Sequence, residues 1–432
     1  MFGLFSSNKI SEESQEFVDF NYLEAGVFYF DSACQTLRPQ SVIDAEVEYY
    51  HKFNSCGHRV KYKWGQETDK RVEACRENLL KLTGKTEKDF TVAFGLNTTA
   101  GINTVLMQLP SKCFKSIIIS EIEHNSVFLP SIVYSQKNNI PRIVLEREVD
   151  GSLKYNLDDL DHAIVLLNTT SNIDGRELKN VEKLAKDVHS KGGILLLDAC
   201  QTLSHHPELL QKVEFDAAFG SGHKMYGPSV GFSIVRKSLL LSLEPYLIGG
   251  STVADVQFDS YELIGDDAEL YSRIEPGLQN YAGVIGLNEA IKWRQNFKVE
   301  LSVIEEKFTE AGLKIADFGF KSNQTLTASE YEHLLAIYLN HKLKTVSNIE
   351  ILNQEPSPVV SLYPISNDLD GHKLAMYLSE AGVSCRSGYH CCHYYLIHKL
   401  KLPPLFRISL ALHNNLEQID YLVDKLAYLT KS

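Results

Sequence analysis

Residues 162–198 constrain the fold more than any other stretch. HAIVLLNTTS (162–171) is a continuous apolar run closed by a turn signal, and so reads as a buried strand. LKNVEKLAKDVHSK (178–191) sets Leu178, Val181, Leu184, Ala185 and Val188 on one helical face, and Gly192 and Gly193 end that helix. ILLLD (194–198) is the next buried strand. Strand, helix and strand at this spacing form a βαβ unit, which requires a parallel sheet with right-handed crossovers. Further strands are expected at TVAFG (91–95), SIIIS (116–120), RIVLE (142–146), FDAAFG (215–220) and VGFSIV (230–235). Beyond WRQNF (293–297) the pattern changes. LLAIYL, PVVSLYP and FRISLAL read as strands there, and DGHKLAMYLSEAG and LEQIDYLVDKLAYL as helices, giving a smaller α+β domain. The expected division is a large domain over 26–295 and a small one built from 1–25 and 296–432.

Charge and cysteine usage narrow the function. A formal net charge of −12 over 432 residues argues against nucleic acid as the main partner, since phosphate binding needs a basic face. No apolar run approaches the roughly 18 residues of a membrane span. The opening MFGLFSSNKISEES has no basic residue ahead of its short apolar stretch, unlike a signal peptide, so a cytoplasmic location without membrane contact is expected. Eight cysteines lie at 34, 56, 75, 113, 200, 385, 391 and 392 without a CxxC pair, a pattern that fits reduced thiols. The run His390 to His393, HCCH, looks like a metal cluster, but contiguous ligands close a tetrahedron poorly, and no metal site is expected.

In open α/β sheets, ligands bind beyond the carboxyl ends of the strands. After SIIIS comes His124, and after AIVLLN comes Asn172. ILLL ends in Asp198, with Gln201 shortly after, and FDAAFG runs into Ser221, Gly222, His223 and Lys224. After TVAFG, Thr98 and Thr99 open an apolar helix. Taken singly, Lys224 reads as a solvated lysine, Asp198 as a turn former, His124 as a core histidine and the threonines as helix caps. Together they suit one cofactor. A lysine in a tight small-residue turn can form a Schiff base with an aldehyde. An acid ending a buried strand can pair with a pyridinium nitrogen, as pyridoxal phosphate enzymes require. Thr98 and Thr99 at a helix N-terminus offer N–H groups and hydroxyls to a phosphate, and Ser221 and His223 can donate from the other side. Two other motifs fail on context. GPSVG (227–231) resembles a serine-hydrolase elbow but runs on as a strand, and TGKT (83–86) has Leu79 where a phosphate loop needs glycine.

From about residue 26 onward the chain resembles the fold-type I, class V aminotransferase family, nearest to the Suf-type (group II) cysteine desulfurases and selenocysteine lyases. SGHKMYGP is similar to the family's lysine motif, DACQTLSHHP to its ring-binding stretch and EIEHNSVFLP to that of its stacking histidine; FDSACQTLRP and FRISLALHNN also match. The resemblance implies an α/β fold with a large pyridoxal phosphate domain, whose sheet is mainly parallel, plus a smaller α+β domain. It assigns Lys224 to hold the cofactor and shuttle protons, Asp198 to the pyridine nitrogen, Gln201 to the ring oxygen and His124 to the ring face. Asn172 would orient ring oxygen or substrate carboxylate, and Arg407 would clamp that carboxylate. In RSGYHCC (386–392), Cys391 aligns with the cysteine that takes sulfur from L-cysteine, leaving alanine and an enzyme persulfide. The same resemblance implies a homodimer, a sulfur-acceptor protein and a place in iron–sulfur cluster assembly. A class V aminotransferase, or a selenocysteine or C–S lyase that does not use the loop cysteine, is the alternative. Three positions depart from the family pattern. Leu278 stands where a threonine reaches the partner's phosphate, Asn97 replaces a glycine, and His393-Tyr394 replace small residues and proline.

Overall fold

The computed structural model describes residues 18–431 apart from 25, 58, 59 and 367. Of the segment 1–25 expected in the small domain, residues 1–17 and 25 lie outside the described residues. The chain divides into two compact units. The larger comprises Ser41–Ser171 and Glu177–Lys292; the smaller comprises the residues up to Gln40, Asn172–Arg176 and Trp293–Ser432. Residues 26–40 and the short Asn172–Arg176 segment therefore group with the smaller unit, whereas the sequence places them inside 26–295.

The larger unit is built on seven strands: β1 (Phe90–Gly95), β2 (Ser116–Ser120), β3 (Arg142–Leu145), β4 (Ala163–Asn168), β5 (Ile194–Asp198), β6 (Ala217–Ser221) and β7 (Gly231–Arg236). Their order is β1-β7-β6-β5-β4-β2-β3. β3, β2, β4, β5 and β6 pair in parallel, and β7 runs antiparallel to both β6 and β1. Alternate residues of each strand enter two apolar clusters. Ile118, Val165, Leu167, Leu195 and Leu197 belong to one, and Ile117, Ile119, Ile164, Leu166 and Leu196 to the other. Burial on both faces is why these strands read as unbroken apolar runs instead of alternating ones. Helices α1 (Thr98–Gln108), α2 (Asn125–Asn138), α3 (Val181–Ser190) and α4 (Cys200–His205) follow β1, β2, β4 and β5.

In the smaller unit, β8 (Ile349–Ile351), β9 (Val359–Pro364), β10 (Arg386–Gly388) and β11 (Leu405–Ser409) form an antiparallel sheet of order β8-β9-β11-β10. LLAIYL is not a strand. It lies inside α5 (Ala328–Leu343), which opens with a capping box between Thr327 and Glu330. Leu334 through Leu339 are all buried, so the helix is apolar all round and its run mimics a buried strand. Helices α6 (Gly371–Glu380) and α7 (Leu416–Thr430) occupy the two expected stretches.

Candidate active site

In the larger unit the polar side chains cluster at the carboxyl edge of the sheet. Asp198 is the last residue of β5 and is buried. Its Oδ1 accepts from the Cys200 backbone N–H at 3.1 Å. Burial pushes the Asp198 carboxyl up, and the positive charge of Lys224 opposes that. Lys224 ends a single helical turn, Gly222–Lys224, directly after β6. That turn is tight: the Gly222 N–H donates to Val230 O at 2.8 Å, and Met225 and Gly227 donate back to Gly222 O at 2.7 and 2.9 Å. A Cβ at Gly222 would sit 2.6 Å from the Pro228 carbonyl, so only glycine fits. Ser221 is buried at 1% exposure, and its hydroxyl has no hydrogen-bond partner among the described residues.

His124 is the N-cap of α2. Its Nδ1 accepts from Ser126 N–H at 3.0 Å, which leaves the proton of the neutral ring on Nε2. Ser126 Oγ lies 2.7 Å from Thr99 Oγ1, and Thr98 Oγ1 lies 2.8 Å from Cys200 Sγ. Asn97, in place of the usual glycine, caps α1 by accepting from Ala100 N–H at 2.9 Å. Gln201 is buried on α4, and His223 is half-buried beside Lys224. Thr98, Thr99, His124, Asp198, Gln201, Ser221, His223 and Lys224 thus all lie in the larger unit, at or just beyond strand ends. Leu278 is 71% exposed, and its side chain has no hydroxyl to offer.

Asn172, Cys391 and Arg407 lie in the smaller unit. Arg407, central in β11 and 2% exposed, donates from Nη2 to Asp31 Oδ1 at 3.1 Å and from Nη1 to Asn172 O at 3.1 Å. Its Nε is buried without a partner among the described residues. Burial pushes the Asp31 carboxyl up, and Arg407 pulls against it. Tyr389–Cys392 forms a hydrogen-bonded turn, with Cys392 N–H donating to Tyr389 O at 2.8 Å. Both central residues have positive φ, 44° at His390 and 59° at Cys391. Two non-glycine residues in that region store about 1–3 kcal/mol each. The turn is tied to Asn172, which donates from Nδ2 to His390 O at 2.8 Å and accepts at Oδ1 from Cys392 Sγ at 3.3 Å. Cys391 is part-exposed and Cys392 is buried. Burial, then Arg407, Arg386 and His372, lowers the His390 imidazole to about 2, so it stays neutral. Among the described residues, no three His, Cys, Asp or Glu side chains are grouped to hold a metal, and no helix is long and apolar enough to cross a membrane.

Several polar residues of these clusters escape the sequence reading. Asp31 sits in FDSACQTLRP, which matters there only as a family match. Glu123 and Arg147 lie in charged runs, EIE and ERE, that resemble solvated turns, yet both are buried. The one available signal was position, immediately past β2 and β3.

The sequence pattern of the aminotransferase class-V family matches residues 28–315 and 314–422. A protein of Borreliella burgdorferi named "Probable cysteine desulfurase" is 28% identical over 91% of this chain and 89% of its own length. A cysteine desulfurase of Serratia proteamaculans is 27% identical, covering 93% of each chain. Among solved structures, the apo cysteine desulfurase of Thermococcus onnurineus superposes with a TM-score of 0.77 at 26% identity, covering 94% of this chain and 95% of that one.

Proposed function

The chain belongs to the aminotransferase class V family, whose members depend on pyridoxal phosphate, and from that premise we propose that it is a cysteine desulfurase. It would convert L-cysteine to L-alanine and leave the sulfur as a persulfide on Cys391. The part-exposed thiol at the apex of a turn that only a strained backbone can make is the observation that carries this reading.

The residues of the larger unit fit the cofactor. Ser221 presents a buried hydroxyl in need of an acceptor, α1 offers its N-terminal N–H groups with two threonines, and both suit a phosphate. Asp198 is a buried carboxylate whose charge Lys224 already partly offsets, which suits a protonated ring nitrogen. When bound, the cofactor supplies an electron sink beside the substrate α-carbon. Lys224 Nζ would hold it and then move the α-proton. His124 would stack on the ring with its proton on Nε2, and Gln201 would donate to the ring oxygen. Ser221 and His223 would donate to the phosphate together with Thr98 and Thr99.

In the smaller unit, Arg407 would take the substrate carboxylate through its unpartnered Nε and an adjacent Nη, the fork a guanidinium offers. Asn172 would orient that carboxylate. Cys391, as thiolate, attacks the substrate sulfur; the S–S bond forms as the Cβ–S bond breaks, and Cβ takes a proton to become alanine's methyl. Regeneration then needs a thiol acceptor, and a sulfur-acceptor protein, a homodimer and a role in iron–sulfur cluster assembly belong to the same proposal.

The test is Cys391→Ser. It should keep the bound cofactor's absorbance and still bind cysteine, yet form neither alanine nor persulfide, while Cys392→Ser changes these far less. Alanine formed by Cys391→Ser at the wild-type rate would replace this reading with the aminotransferase or lyase.

A further inference from the structure

A buried ionic cluster lies immediately behind the cofactor-side residues of the larger unit. Glu123 and Arg147 are 1% and 3% exposed, with Arg147 Nη2 3.7 Å from Glu123 Oε1. Between them is Asn168, the last residue of β4 and 4% exposed. Every polar group of Asn168 is engaged. Its backbone N–H donates to Glu123 Oε2 at 2.7 Å, and its carbonyl accepts from Arg147 Nη2 at 2.7 Å. Its Oδ1 accepts from Arg147 Nη1 at 2.7 Å, and its Nδ2 donates to Ile122 O at 3.3 Å. Ser120 Oγ, at the end of β2, donates to Glu123 Oε1 at 2.5 Å. The cluster therefore ties together the ends of β2 and β4 and the segment that follows β3.

Asn168 is the register partner of Asp198, and the next residue, Thr169, donates its N–H to Asp198 O at 3.0 Å. Glu123 is followed at once by His124. Burying an ion pair is often no better for stability than burying an apolar pair of the same volume, so the pair is weak evidence of a purely stabilising role. We propose that Glu123 and Arg147 are positioning residues for the cofactor end of this unit: they lock the end of β4, against which Asp198 is held, and set the net charge that Asp198 meets. The proposal rests on the pyridoxal phosphate reading.

The groups that face Glu123 are the Arg147 guanidinium, the Ser120 hydroxyl and the Asn168 N–H, with the Asp198 carboxylate acting on it as a like charge. Above about pH 7 Glu123 is ionised, and its charge then opposes that of Arg147. Glu123→Gln keeps the shape but removes the negative charge that faces Arg147 at 3.7 Å, which makes Asp198 a weaker partner for a protonated ring nitrogen. Arg147→Met added to Glu123→Gln restores neutrality.

The experiment strips the full chain of cofactor and measures, at about pH 8.5 where Glu123 is ionised, its affinity for pyridoxal phosphate and for the analogue with carbon in place of the ring nitrogen. The ratio of the two affinities reports on the Asp198 pairing alone. Glu123→Gln should lower that ratio on the order of tenfold, the effect of changing one charge in a protein interior, and the double variant should recover it. Equal losses for both ligands would reduce the cluster to a scaffold and overturn the proposal, as would no loss at all. Ser120→Ala deletes only the hydroxyl that favours the ionised Glu123, and so carries the test where folding is not at risk. Its ratio must fall in the same direction; an unchanged ratio overturns the proposal. A wild-type chain that bound neither ligand would overturn the cofactor reading, and this inference with it.

Discussion

Glu123 makes a measurable claim about stability as well as about the site. Burial is the largest influence on its carboxyl and raises it from 4.5 to about 7, against the opposing pull of Arg147, Ser120 and the Asn168 N–H. The folded chain then holds this proton more tightly than the unfolded chain. Its contribution to stability is complete below about pH 4.5 and is lost as pH rises through about 7. At about 1.4 kcal/mol per pH unit, a rise from 4.5 to about 7 corresponds to roughly 3 kcal/mol in all. Roughly 2–3 kcal/mol of that falls between pH 5 and 8. Urea unfolding of wild type and Glu123→Gln across this range isolates the effect, because all other titrating groups are common to both. The wild-type stability, less that of the variant, should fall by that amount as pH rises. A difference that stays flat, or that grows toward alkaline pH, would show that Glu123 does not titrate from a buried, raised position.

Three further outcomes follow from the geometry. Lys224→Ala should abolish covalent attachment of pyridoxal phosphate, and borohydride reduction of wild type followed by peptide mapping should label Lys224; label on any other lysine refutes the assignment. Arg407→Lys should raise KM for cysteine on the order of tenfold while cofactor loading is unchanged, because an ammonium cannot offer the two-pronged contact. An unchanged KM would place the carboxylate elsewhere. Thr327→Ala removes the α5 capping box and should cost about 1 kcal/mol in urea unfolding without altering cofactor affinity.

Much of the larger unit was legible in the chain itself. Strands buried on both faces become unbroken apolar runs, and the polar residues just past each run fall at the carboxyl edge of the sheet. That logic puts Asp198, His124, Ser221 and Lys224 at this edge, where the structure has them, without any knowledge of contacts. The same logic misread LLAIYL, because a helix buried on every side writes the same apolar run as a strand.

Sequence position therefore determined most elements of the larger unit and which polar residues stand at their ends: the βαβ core, the glycine turn before Lys224, and the cysteine pair after RSGYH. Tertiary structure alone decided what those residues face. Only the folded backbone groups the segment Asn172–Arg176 with the smaller unit, where Asn172 ties down the His390–Cys392 turn, 218 residues away at His390 O. Only packing gives Arg407 an internal carboxylate in Asp31 across 376 residues, and only packing buries Glu123 and Arg147. The physical reason is that periodicity is a local property of the chain. Desolvation and charge pairing depend on which distant segments close over a group, and a charged run carries no mark of whether water or another strand will cover it.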